Sequence, residues 1–171
     1  MEENRQVVAY GQVELNRTAI SLNTTDDYHK LAKKFFNNAM GYYDLCKAAA
    51  PTLHPVSMAL HTNACLACEL FLKTLLLAEE YDFYHQIKRP GDKHDLYELY
   101  SRLSEEGKKC IKNSKLLRHT DSFDDRLKDI GKGFEVIRYI AECNGMMVDV
   151  YFLYNFMCTL AGICKYIVNQ L

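Results

Sequence analysis

Arg138, Tyr139 and Glu142 sit in a stretch, Phe134 to Glu142, that reads as helix and carries side chains able to handle phosphate and nucleobases. A guanidinium grips phosphate through its bidentate fork, and a phenol ring stacks on a base. Arg138 and Glu142, at i and i+4, serve equally well in a buried or semi-buried polar network between two helices, since charges on an otherwise apolar helix are usually paired within the fold. At the position where an Arg-x4-His pair would place its imidazole stands Cys143, followed by Asn144 and Gly145. A thiol there does not replace imidazole in proton transfer at neutral pH, with a reference pKa of about 8.5 against about 6.5. A literal Arg-x4-His occurs at Arg89 and His94, but Pro90 and Gly91 put it across a turn; Arg118 is followed directly by His119.

Other spacings carry alternative chemistry. His61, Cys65 and Glu69 at i, i+4, i+8, with Cys68 completing a CxxC, would supply metal ligands. The same segment carries Leu66, Leu70, Phe71, Leu72, Leu75 and Leu76, so packing of the thiols in a core is the preferred reading, and neither a metal nor a cofactor is expected. Glu69 and Lys73 are spaced for a helix-surface ion pair. Lys108, Lys112 and Lys115 fall at i, i+4, i+7, a cationic stripe that would be either a solvated face or a nucleic-acid footprint. Asp121, Asp124 and Asp125 follow directly and blunt any extended basic field.

These residues need elements to hold them. The 171 residues, with formal charge −1 and 49% hydrophobic side chains, suffice for one substantial core and not for two ordinary domains. Residues 1–25 read as an arm or irregular lead-in and 26–171 as a single domain. Met1 to Gln12 is polar and lacks the apolar core of a secretory signal, and seven cysteines without dense spacing fit reduced thiols, so the expected setting is cytoplasmic.

The apolar spacing is helical almost throughout, with three prolines and no convincing strand. Thr25 or Asp26 would cap a first helix presenting Tyr28, Leu31, Ala32, Phe35, Ala39, Tyr42 and Leu45 and running to about Ala50. After Pro51 to Pro55 a second helix, about Ser57 to Glu80, is apolar around most of its circumference and belongs at the centre. Asp82 to Lys93 reads as turn, followed by a short helix from near His94 that takes in Leu99 and Leu103. Ser104 with Glu105 and Glu106 starts another. A longer one spans about Ser122 to Glu142, kinked or broken near Gly131 and Gly133, and a last one runs from about Met147. Val150 to Cys164 lacks charge over about 15 residues, short of the ~20 of a bilayer span, so this helix is read as central or shared with a second subunit rather than membrane-inserted.

Three segments in order, Ala64 to Leu76, Lys93 to Leu99 and Phe134 to Glu142, give the chain a resemblance to the HEPN (higher eukaryotes and prokaryotes nucleotide-binding) superfamily over roughly Tyr28 to Tyr166. The resemblance implies an all-α, up-and-down bundle of four to five helices with short accessory helices. It also implies frequent homodimers and a setting in prokaryotic defence or toxin–antitoxin systems. Many members are metal-independent ribonucleases whose Arg-x4-6-His residues meet across the dimer and promote attack of a ribose 2′-hydroxyl on phosphate. The missing histidine after Arg138 turns the expectation toward a non-catalytic module that dimerises and binds a protein, nucleotide or RNA partner, through Arg138, Tyr139, Glu142, Glu69, Lys73, Lys108, Lys112 and Lys115. A ribonuclease toxin with a displaced histidine, His94 or His119 beside Arg138 or Arg89, is the alternative. A helical adaptor with no ligand is the third reading.

Overall fold

A capping box opens the first long helix. In the computed structural model, which describes residues 22–50, 58–131 and 149–171, Thr24 accepts from the Asp27 amide while the Asp27 carboxylate accepts from the Thr24 amide at 3.0 Å. The cap thus falls one residue before the expected Thr25, because the acidic N3 partner that completes the box is Asp27. Helix α1 spans Thr25–Ala49 and α2 spans Met58–Ala78. Then come α3 (Phe83–Gln86), a 3-10 turn (Gly91–Lys93), α4 (Leu96–Ser101), α5 (Glu105–Lys112), α6 (Phe123–Gly131) and α7 (Val150–Val168). Among the described residues the protein is all-helical, without strands. The lead-in over residues 1–21, the Pro51 to Pro55 turn and the expected helix from residue 132 to Glu142 lie outside them.

Helix α2 is apolar on nearly every side and occupies the centre, as its composition predicts. Ala64, Ala67 and Cys68 are buried and small, so neighbouring backbones can approach closely. Helix α1 lies antiparallel to it. Thr25 Oγ1 donates to Glu80 Oε1 (3.0 Å) at one end, and Cys46 Sγ donates to the Leu60 carbonyl (3.6 Å) at the other. Helix α7 packs on α2 and buries Phe152, Leu153, Phe156, Met157 and Leu160, and Cys164 Sγ reaches the Phe71 carbonyl at 3.4 Å. Phe71 in turn meets the rings of Phe36 and Tyr43 from α1.

By length and apolarity alone both α2 and α7 would reach across a bilayer; 78% of the most apolar stretch of α2 is buried in this fold, and 44% of that of α7. The inward face of α1 corrects one expectation. Ala32, Ala39 and Cys46 are buried and Tyr43 packs inward, whereas Tyr42 and Leu45 are exposed. Over 25 residues at 100° per step, a face drawn from the helix start ends one residue out of phase near the helix end.

Helix α2 ends at Ala78, and Glu80, two residues on, adopts left-handed backbone (φ 56°). The Tyr81 amide then reaches the Leu76 carbonyl (2.8 Å) and the Glu80 amide the Leu77 carbonyl (3.0 Å), the paired bonds of a Schellman terminus, normally built on glycine. The next segment is not a plain turn, as the sequence led us to expect. Asp82 caps α3 by accepting from the amides of Tyr84 and His85, which drives Phe83 into the core. Asp95 caps α4 in the same way. Gly131, at the end of α6, abuts that cap so closely that a Cβ would stand 2.8 Å from Asp95 Oδ1. Helix α4 ends at Ser101, short of Leu103, which is buried nonetheless. Helix α5 begins as expected from Ser104, whose hydroxyl accepts from the Gly107 amide while donating to Glu79, just past the end of α2.

Candidate functional site

Two polar assemblies emerge from this framework. The first is centred on α2. Glu69 and Lys73 form an ion pair at 2.6 Å, but it is not the surface pair their spacing suggests: both residues are about 95% buried. The reason is α3 and the 3-10 turn, which fold over this side of α2. Lys73 Nζ stands 5.4 Å from the centre of the Phe83 ring, and His94 Nδ1 lies 3.0 Å from the same Glu69 oxygen that holds Lys73. One carboxylate thus joins a buried ammonium and a half-exposed imidazole. A carboxylate at Nδ1 favours the tautomer with its proton there, leaving Nε2 with the lone pair a general base needs. His85 is held likewise by Asp82 at 2.6 Å, a pairing that the sequence reading missed although Asp82 and His85 stand at i, i+3. Arg89 is exposed before the 3-10 turn, and the Pro90–Gly91 turn separates it from His94 as expected. Lys93 closes the segment by donating to the Tyr84 carbonyl (2.6 Å).

The second assembly is a cleft of about 520 Å³ where α5 faces α4 and the start of α6. Lys108 and Lys112 line it, with Lys109, Tyr97, Tyr100, Glu105 and Asp124. Lys115 does not join them in a stripe: α5 ends at Lys112 with Asn113 as its C-cap, so Lys115 falls in the following turn and is exposed. The cations are already interleaved with carboxylates. Lys108 pairs with Glu105 (2.9 Å), and Lys112 pairs with Asp124 (2.7 Å) while lying over the rings of Tyr100 and Phe123. Tyr100 is 2% exposed, and its hydroxyl has no hydrogen-bond partner among the described residues. Burial, with Asp124 and Glu105 nearby, pushes its phenol pKa up, so it stays a proton donor. The sequence offers no local sign of Tyr100 or Asp124 as site residues, since α4 and α6 are brought to α5 only by tertiary packing.

The core thiols have a bland explanation. Cys46, Cys65 and Cys68 are buried, and burial raises Cys46 to about 11, Cys65 to about 12 and Cys68 well above the ordinary thiol. They are therefore protonated packing groups near neutral pH, poor nucleophiles and poor ligands. Among the described residues no group of three or more His, Cys, Asp and Glu side chains could hold a metal ion. Arg118 and His119 are exposed in the turn after α5. Arg138, Tyr139, Glu142 and Cys143 lie outside the described residues. Comparison with protein-family models, with curated proteins and with solved structures finds no match.

Proposed function

We propose that this chain is a HEPN-like helical binding module of an up-and-down bundle type, acting in the cytoplasm as a homodimer on a phosphate-bearing partner, an RNA or a nucleotide, without catalysing its cleavage. The observation that carries the reading is the cleft between α4, α5 and α6, where Lys108, Lys109 and Lys112 stand beside two tyrosines. Ammonium groups take phosphate as point charges and phenols add a donor and a ring face. The Glu69–Lys73 pair supports the same division of labour, because it is neutralised and enclosed and so acts as architecture. The exposed Tyr151 and Tyr166 on α7, with Tyr42 and Leu45 on α1, are the apolar groups we assign to subunit contact. A prokaryotic defence or toxin–antitoxin role follows from the HEPN resemblance alone.

A sizing column with light scattering tests both parts at once. The protein alone is expected at roughly twice the 19.8 kDa of one chain, and a short RNA carrying a 5′-phosphate is expected to co-elute with it. A mass of one chain removes the dimer, and RNA that elutes separately at low salt, together with nucleotides that leave the melting temperature unmoved, removes the binding reading. The runner-up, a metal-independent ribonuclease, is favoured by one contact, Glu69 to His94 Nδ1, which orients an accessible imidazole. It requires RNA cleavage that persists in EDTA and disappears in His94→Ala.

A further inference from the structure

We infer that the α4–α5–α6 cleft is a site for a small phosphate monoester, taken up one at a time, rather than a track for the backbone of a polynucleotide. The inference rests on the binding reading above and narrows it. Three ammonium groups against two carboxylates leave the cleft with a single net positive charge, Lys108, Lys109 and Lys112 facing Glu105 and Asp124. That balance suits one phosphate group. A polynucleotide track would need further cations beyond the cleft, but α5 ends at Lys112, Lys115 falls in the turn after it, and Asp121, Asp124 and Asp125 come next in the chain. At about 520 Å³ the cleft is of the size that encloses a small molecule.

Two features show where the phosphate would sit. Tyr100 is nearly wholly buried, lines the cleft and leaves its hydroxyl, closed off from solvent, without a partner among the described residues, a cost that a native fold normally avoids unless something else accepts that proton. Beside it, Lys108 is held among the described residues only by Glu105, whose side chain is 92% exposed while that of Lys108 is 23% exposed. Such a pair is weak and readily exchanged. A phosphate entering the cleft replaces Glu105 on Lys108, takes Lys109 as a second counter-charge and accepts the Tyr100 hydroxyl proton once that side chain, closed off from solvent in the unliganded fold, turns toward it. Lys112 stays with Asp124 and closes the far wall.

The experiment is a calorimetric titration of the full chain with ribose 5-phosphate, with ribose, and with a short RNA bearing hydroxyl at both ends. Binding of ribose 5-phosphate with no binding of ribose is expected. Tyr100→Phe should weaken that binding about tenfold while leaving the melting temperature unchanged or raised, since the hydroxyl has no partner to lose. Glu105→Gln should tighten it, because a competitor for Lys108 is gone. RNA without terminal phosphate that binds when ribose 5-phosphate does not would overturn the monoester site and leave the binding module standing. Binding of neither would remove both, and a Tyr100→Phe protein that binds as tightly as the parent would overturn the role given to the hydroxyl.

Discussion

Glu69→Ala is expected to destabilise the protein by about 3–5 kcal/mol, the cost of breaking a buried ion pair from one side. For a chain of this size that corresponds to a fall in melting temperature of about 10 °C or more. Lys73 is 6% exposed, its ammonium faces the Phe83 ring, and among the described residues its ion pair is with Glu69 alone. Without Glu69 that charge is buried and uncompensated, and the 3-10 turn loses the tie that His94 makes to α2. A double replacement, Glu69→Leu with Lys73→Leu, removes both charges and should recover most of the loss. Thermal and urea unfolding followed by circular dichroism measure both variants. A loss below about 1 kcal/mol in Glu69→Ala would mean that the Lys73 chain reaches water and that the pair behaves as an ordinary surface pair after all.

The second large effect belongs to Phe123, the residue that joins the cleft to the core. Its ring centre lies 5.4 Å from that of Tyr100, 5.4 Å from Phe152 and 6.1 Å from Phe156, and Lys112 Nζ stands 5.3 Å above it. Phe123→Ala empties a site shared by α4, α6 and α7, and is expected to cost about 3–5 kcal/mol. Phe123→Leu, which keeps most of the volume, should cost much less. Because Tyr100 and Lys112 lean on this ring, binding at the cleft should weaken in Phe123→Ala even under conditions where the variant is fully folded. Undiminished ligand affinity in the folded variant would show that the cleft is held by α5 alone.

What the sequence made legible was whatever is decided locally. Ser104 followed by Glu105 and Glu106 announces α5 because a cap and an acidic first turn act within four residues. The all-round apolar composition of α2 announces a central helix for the same reason. The status of Glu69 and Lys73 was not legible. An i, i+4 pair reads alike whether it faces water or protein, and here Phe83 and His94, both later in the chain, fold over it. Helix α3 was missed because four residues are too few to show a period, and Asp82, its cap, was read only as the start of a turn. The cationic stripe failed for a related reason: Lys115 fits the period, but Asn113 ends the helix before it. Of the cleft, Lys108 and Lys112 were named from spacing, while Tyr97, Tyr100 and Asp124 depend on the packing of α4 and α6 against α5.

The central claim is that this chain binds a phosphate-bearing partner without cutting RNA. Incubating purified protein with total RNA in excess EDTA, and resolving the products on a denaturing gel, tests it most directly. The account predicts that the RNA stays intact at stoichiometric protein for as long as a protein-free control does. Cleavage in EDTA that is abolished by His94→Ala, in a variant that still folds by circular dichroism, would contradict it and assign the Glu69–His94 contact to catalysis.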